Sequence, residues 1–418
     1  MCASHATVPT ALRMIRTTHL RAWIGMLERP GHGGGAAPLT ASSLLSLSLL
    51  LLFFVVSLLV AVGASAWFTR RLETISDLFD LSPGLLSLLG ALGANIPNYV
   101  ASFVAAASGQ LVVGLGIIIG SNIYNIAIIL GISTFASKAR QGIALTRTAA
   151  LDVRVVAALT LAIMLTTLLA VGLLSWRAIG AELHLSILVT VVLLVTNLLS
   201  LGLFGALAFH ALQHVHDVRP LPEIPGRRQA PYTQSPRLRP SPTSTPAPTF
   251  SVYEAGSPPS GKRWSAAIRS IGEVVFALVL ALGGVIVMVQ TGQALAVDIR
   301  LPPTILGLVV LAVATSLPNT VVAITLARTD RASACVEEVL SSNSINAALG
   351  IALPLLLWQN IHPDPKLLFP DALLMVALTL IALICALRQR VSRLTGFLLV
   401  LVYVSWVVVH STHVMIGG

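Results

Sequence analysis

One stretch occurs twice in this chain, and its spacing limits what the chain can become. The first copy reads Ala94-Asn95-Ile96-Pro97-Asn98 and leads to Gly120-Ser121-Asn122-Ile123-Tyr124-Asn125. The second reads Thr315-Ser316-Leu317-Pro318-Asn319 and leads to Ser341-Ser342-Asn343-Ser344-Ile345-Asn346. In both, the Asn after the proline precedes the last Asn of the box by 27 positions. One Pro-Asn pair in an apolar run carries little information. Two in matched register mark a duplicated unit, with one copy in each half.

The runs around these copies are apolar over about 20 residues or more, the length needed to cross a hydrocarbon core of about 30 Å. With 56% hydrophobic and 10% charged residues, the chain is expected to be an all-α polytopic membrane protein. Ten spans are expected, near 43–67, 84–106, 111–136, 152–175, 184–211, 268–294, 303–327, 334–358, 368–388 and 394–412. They divide the chain into a tail (1–42), a first five-helix repeat (43–213), a linker (214–265) and a second five-helix repeat (266–418). The tail is basic and acid-poor and has no secretory signal pattern. The linker is rich in Pro, Ser and Arg and lacks the apolar periodicity of a folded unit.

Charge sets the expected orientation. Lys and Arg in and beside the loops joining spans 1–2, 3–4, 5–6, 7–8 and 9–10 number 19, against 7 on the other side. The positive-inside bias therefore puts the linker in the cytoplasm and both termini outside, in a plasma membrane, by default the bacterial inner membrane. The net charge of +10 is explained by these loops and does not imply nucleic acid. Because each half has an odd number of spans, the halves insert upside down relative to each other. Inverted repeats of this kind are a hallmark of secondary transporters, with the substrate site at the repeat interface near the midplane.

The motifs say what such a site would contain. Pro97 and Pro318 lack the N–H that would pair with the carbonyls of Gly93 and Ala314, so both are expected to break their helices and free a hard oxygen ligand. Broken helices are tolerated in a bilayer only where they are buried or line a cavity. Asn95, Asn98 and Ser102 share one helical face, as do Thr315 with Asn319, Ser121 with Asn125, and Ser342 with Asn346. Polar residues on these spans are expected to face the bundle interior.

The two boxes and the five-plus-five layout resemble the alpha repeats of the sodium/calcium exchanger (calcium/cation antiporter) superfamily, over roughly 84–136 and 303–355. The resemblance implies a ten-helix antiporter that binds Na+ and Ca2+ alternately at one central site, with no separate metal site. Its four central ligands would be Asn98, Asn125, Asn319 and Asn346. Ser121, Ser342, Thr315, Ser316 and Asn95, with the carbonyls of Gly93 and Ala314, would complete the shell. Members of that superfamily carry an acid after each motif proline, where this chain has Asn98 and Asn319. A site without carboxylates is a poor divalent site, because Ca2+ affinity tracks ligand charge. The expected substrate is therefore a monovalent cation (Na+, K+, Li+ or H+) or weakly held Ca2+.

Nearby acids do not replace the missing pair on sequence grounds. Glu338 lies two turns before Asn346, about 11 Å along a helix, and is expected at the cytoplasmic mouth. Glu273 is expected at the membrane interface, and Asp152 at a helix start. His210, His214 and His216 read as polar residues leaving the membrane. No nucleotide-binding loop, nucleophile elbow or zinc-protease motif occurs, so neither enzyme chemistry nor a cofactor is expected. The same residues admit a second reading: a transport-deficient structural or regulatory relative whose old site is a packed polar core.

Overall fold

A computed structural model describes residues 41–79, 91–145, 147–179, 186–213, 260–328, 332–357 and 368–417. The expected tail, most of the linker and the first part of the second span lie outside these residues. In chain order the helices are α1 (Ala41–Phe79), α2 (Ile96–Ala107), α3 (Leu111–Ala136), α4 (Arg147–Ile179), α5 (Ser186–Gln213) and α6 (Ser260–Asp298). They continue with α7 (Pro303–Arg328), α8 (Ala332–Leu357), α9 (Phe369–Leu387) and α10 (Arg393–Gly417). Among the described residues, nine of these are long and apolar enough to cross a membrane, and α2 is a shorter apolar helix. The polytopic, helical class expected from the apolar runs is what folds.

The helices sort by composition into inner and outer members. α3 buries nearly its whole length, including Leu115, Ile117, Ile118, Ile119, Ile123 and Ile126. Apart from the polar box at Ser121–Asn125 it is apolar on every side, and such a helix is buried. α1, α5, α6 and α10 instead expose rows of large apolar side chains, such as Leu51, Leu52 and Phe53 on α1 and Val275, Phe276 and Val279 on α6. These are the surfaces a bilayer would cover.

α3 and α7, one from each repeat, pack almost backbone to backbone. A Cβ on Gly120 would overlap the Leu308 carbonyl oxygen and stand 2.8 Å from the Ala312 Cβ. A Cβ on Gly307 would lie 2.6 Å from the Val113 carbonyl oxygen. Small residues at such crossings are the usual means of tight packing within a membrane.

Three contacts check the alternation of sides. A short antiparallel ribbon pairs β1 (Gly142–Ala144) with β2 (Arg390–Ser392), so the loops after α3 and α9 share a side. Arg71 near the end of α1 pairs with Glu273 near the start of α6. Asp371 in the first turn of α9 meets His410 near the end of α10 at 3.0 Å, on the side where the odd-even count puts both. The ribbon is the one departure from an all-helical chain among the described residues. Arg154 of α4 donates to the Leu387 carbonyl at 3.1 Å and so covers an open carbonyl at the end of α9.

The expected helix break is found in one copy only. Before α2 the helical path stops at Asn95, whose φ of −94° and ψ of 0° interrupt it, and Pro97 then falls in the first turn, where a missing N–H costs nothing. In the second copy Pro318 lies inside a continuous helix, Ala312–Arg328, so it does not act as a breaker. Pro318 and its neighbours Ala314, Thr315, Ser316 and Asn319 are all buried, and that packing holds the helix across the lost bond. The irregularity there lies one stretch earlier, in a π-helical segment at Leu306–Leu311.

Candidate cation site between the repeats

The two boxes meet at the centre of the protein. Asn95, Asn98, Ser121, Asn125, Thr315, Ser316, Asn319, Ser342 and Asn346 are each 2% exposed or less, and Gly93 and Ala314 are also buried. Apolar packing alone does not explain burying so many amides, each of which needs partners. A π-helical segment begins at Asn125, and another spans Ala348–Ala352, just beyond Asn346. Such segments occur often at functional sites because they widen a helix locally. The Gly350 carbonyl in the second is capped from the other repeat by the Ser102 hydroxyl at 2.6 Å.

The amides form two relays, each anchored on backbone carbonyls. In the first, Asn122 of α3 donates its Nδ2 to the Asn343 carbonyl at 3.3 Å, and Asn343 of α8 donates its own to the Asn122 carbonyl at 3.1 Å. A carbonyl can only accept, so these bonds fix which end of each amide is nitrogen. The oxygens of Asn122 and Asn343 must then accept. They take Asn346 Nδ2 at 3.1 Å and Asn125 Nδ2 at 2.9 Å respectively. The exchange is reciprocal, residue for residue, as expected where two copies face each other about an approximate two-fold axis.

The second relay is centred on Asn95. Its Nδ2 donates to the Ala91 carbonyl at 2.8 Å and to Ser342 Oγ at 3.0 Å, so its Oδ1 is again an acceptor. That oxygen receives Asn319 Nδ2 at 2.7 Å and, more weakly, Asn98 Nδ2 at 3.4 Å. Position 95 has no Asn counterpart in the second repeat, where Ser316 stands in register. One side chain from the first half thus orients an amide in each half.

Both relays have the same result. Asn98, Asn125, Asn319 and Asn346 all have their NH2 groups engaged, while their Oδ1 atoms, and Ser316 Oγ beside them, are buried without a hydrogen-bond partner. An unsatisfied buried polar group costs about 1–3 kcal/mol, so a packed polar core has every reason to pair such oxygens. Four unpaired carboxamide oxygens, from the four positions in register between the repeats, are donors of the kind a hard cation takes. Ser121 and Thr315 donate their hydroxyl hydrogens to the Ala312 carbonyl at 3.3 Å and the Leu311 carbonyl at 2.8 Å. Their oxygen lone pairs stay available.

The resemblance named the four amides but not Asn122 and Asn343 as the groups that orient them. The signal was present, since both lie within the same boxes. Helical spacing identifies a shared face but not the partner across it. Glu338 is also closer in linkage than expected: its Oε1 accepts from Ser342 Oγ at 3.3 Å, within the network. Among the other acids, Glu273 pairs with Arg71 and Arg269, and Asp152 lies 3.9 Å from His210. His214 and His216 fall outside the described residues, and no cluster of three His, Cys, Asp or Glu occurs among those described.

The chain is similar to known proteins in sequence and in fold. The family model "sodium/calcium exchanger protein" matches residues 49–206 and 269–412, which include both boxes. The CaxA protein of Alkalimonas amylolytica is 32% identical over 117 residues, 28% of this chain. That match spans only 36% of CaxA. Among solved structures, the H+/Ca2+ exchanger CAX superposes with a TM-score of 0.59 at 17% identity, covering 88% of this chain and 86% of that one. YfkE gives a TM-score of 0.57 at 14% identity, covering 85% and 90%. These two share the fold.

Proposed function

Because the chain belongs to the sodium/calcium exchanger protein family, we propose that it is a cation antiporter working by alternating access, with the amide cage as its ion site. The observation that carries this is the set of four unpaired Oδ1 atoms, at Asn98, Asn125, Asn319 and Asn346. Their outward-facing NH2 groups are held by bonds traceable to backbone carbonyls, so the oxygens cannot turn away without breaking a relay. Preorganised neutral oxygens replace part of an ion's hydration shell, as carbonyl filters do. The hydroxyls of Ser121, Ser316 and Thr315 extend the same shell. The activity is transport and not enzyme chemistry.

The cage itself carries no charge, so the reading favours a monovalent cation (Na+, K+, Li+ or H+) or Ca2+ held weakly. Dehydrating a divalent ion into amides alone forfeits more than the amides return. The protein is an integral membrane protein. We place it in a plasma membrane with the linker on the cytoplasmic side and the termini outside, as the charge bias of the loops supports.

The test is ion flux into proteoliposomes under imposed Na+, K+, Li+, H+ and Ca2+ gradients. Flux of a monovalent ion driven by a counter-gradient is the expected result. No flux above empty vesicles under any gradient would replace this reading with that of a transport-deficient relative.

A further inference from the structure

The cage lacks the carboxylates a cation site in a membrane normally uses to offset the ion's charge, yet one acid is wired to it. Asn95 Nδ2 donates to Ser342 Oγ at 3.0 Å, and Ser342 Oγ donates to Glu338 Oε1 at 3.3 Å. The same Asn95 holds Asn319 at 2.7 Å and Asn98 at 3.4 Å through its Oδ1. A continuous hydrogen-bonded path therefore runs from the Glu338 carboxylate to the two amides that stand where the superfamily has acids. Resting on the reading of the cage as a cation site, we propose that Glu338 supplies its negative charge, displaced along α8, and that this single charge makes the site selective for monovalent over divalent cations.

The other acids do not compete for this role among the described residues. Asp371 is engaged by Trp406 Nε1 at 2.8 Å and His410 at 3.0 Å. Glu273 is neutralised by Arg71 and Arg269. Asp152 lies 3.9 Å from His210, and Asp298 is exposed at the end of α6. Glu338 makes no ion pair with a described Lys or Arg, so its charge is not spent elsewhere. Its counterpart in the first repeat is Ile117, fully buried, so the duplication contributes one carboxylate and not two.

The charge count then decides selectivity. With Glu338 ionised and a monovalent cation in the cage, the centre is neutral. A divalent ion leaves one uncompensated positive charge inside the bilayer, which is costly. The cage lies about two helical turns from Glu338, roughly 11 Å along α8. At an effective dielectric constant of about 20, removing the charge is worth roughly tenfold in affinity.

The experiment measures binding of Na+, K+, Li+ and Ca2+ to the full chain in lipid nanodiscs, alongside Na+ flux in proteoliposomes. Glu338→Gln is expected to lower monovalent affinity by at least about fivefold, and a smaller change overturns the proposal while leaving the cage reading intact. Asn319→Asp in the parent adds a second charge and is expected to raise Ca2+ affinity above that of the parent. Strong Ca2+ binding by the unaltered chain would refute the single-charge rule. The combination Glu338→Gln with Asn319→Asp is expected to restore monovalent binding. If neither the parent nor Asn319→Asp binds any cation, the cage reading itself fails. Should Glu338→Gln not fold, Glu338→Asp takes its place: retained monovalent preference with weakened affinity supports the proposal, and unchanged affinity overturns it.

Discussion

Asn343→Leu removes a residue that is expected to touch no ion, yet it should weaken ion binding. The Asn343 side chain donates to the Asn122 carbonyl at 3.1 Å and accepts from Asn125 Nδ2 at 2.9 Å. Leucine is similar in size and does neither. The buried Asn125 NH2 would lose its partner at about 1–3 kcal/mol, while the Asn122 carbonyl keeps the backbone N–H of Asn125. The larger consequence is at Asn125. Freed of its anchor, its amide can turn over and present NH2 to the cage in place of an oxygen. Losing one ion-oxygen contact is worth about 1.5–3 kcal/mol, or roughly 10- to 150-fold in affinity. Ser344→Ala is the control. Ser344 is the next residue on α8 and bonds Thr160 Oγ1 at 2.9 Å, away from the cage. It should lower the melting temperature modestly and leave affinity unchanged. Cation binding and thermal unfolding measured together on both variants decide the matter. If Asn343→Leu is destabilised but binds cations as the parent does, the relay does not set the orientation of Asn125 and the reasoning fails.

Other perturbations test other parts of the structure. Gly120→Ala puts a methyl group into the Leu308 backbone and 2.8 Å from the Ala312 Cβ, so α3 and α7 must separate. Overpacking of this kind costs about 1–3 kcal/mol, and transport should fall with stability; a folded variant with parental flux would show that the tight crossing is not required. Asn98→Glu with Asn319→Glu adds two acids to the cage and should raise Ca2+ affinity in a binding titration. An unchanged calcium response in the folded double variant would count against these positions as ligands. Asp371→Leu leaves Trp406 Nε1 without its partner at 2.8 Å and should cost about 1–3 kcal/mol in thermal unfolding, with cation affinity unaltered because Asp371 bonds Trp406 and His410 and belongs to neither amide relay.

The architecture was legible because its signals are periodic and long. Apolar runs of membrane-spanning length cannot fold otherwise in lipid, and the odd number of spans per half fixes alternation. The β1–β2 ribbon, the Arg71–Glu273 pair and the Asp371–His410 pair all join elements that the count puts on a common side. The repeated spacing marked the four amides as counterparts, and the structure buries all four. What was hidden depends on contacts across the repeat interface. Helical spacing places Asn122 beside Asn125 but says nothing of Asn343 more than 200 residues away. Pro318 looked like Pro97 in sequence, but buried neighbours keep its helix continuous while Asn95 interrupts the other. The π-helical segments at Asn125–Leu130 and Ala348–Ala352 leave no composition signal. Glu338 was seen but assigned by its rise along the axis, which overlooks a side chain reaching one turn to Ser342.

The cage can be interrogated with a heavy monovalent ion. Thallium(I), which scatters anomalously and substitutes for K+, should give a single strong peak in crystals of the protein, bounded by the Oδ1 atoms of Asn98, Asn125, Asn319 and Asn346. That peak should weaken when Na+ is added in competition. Density showing those four amides paired to one another, with no thallium between them, would contradict the assignment of a cation site to this protein.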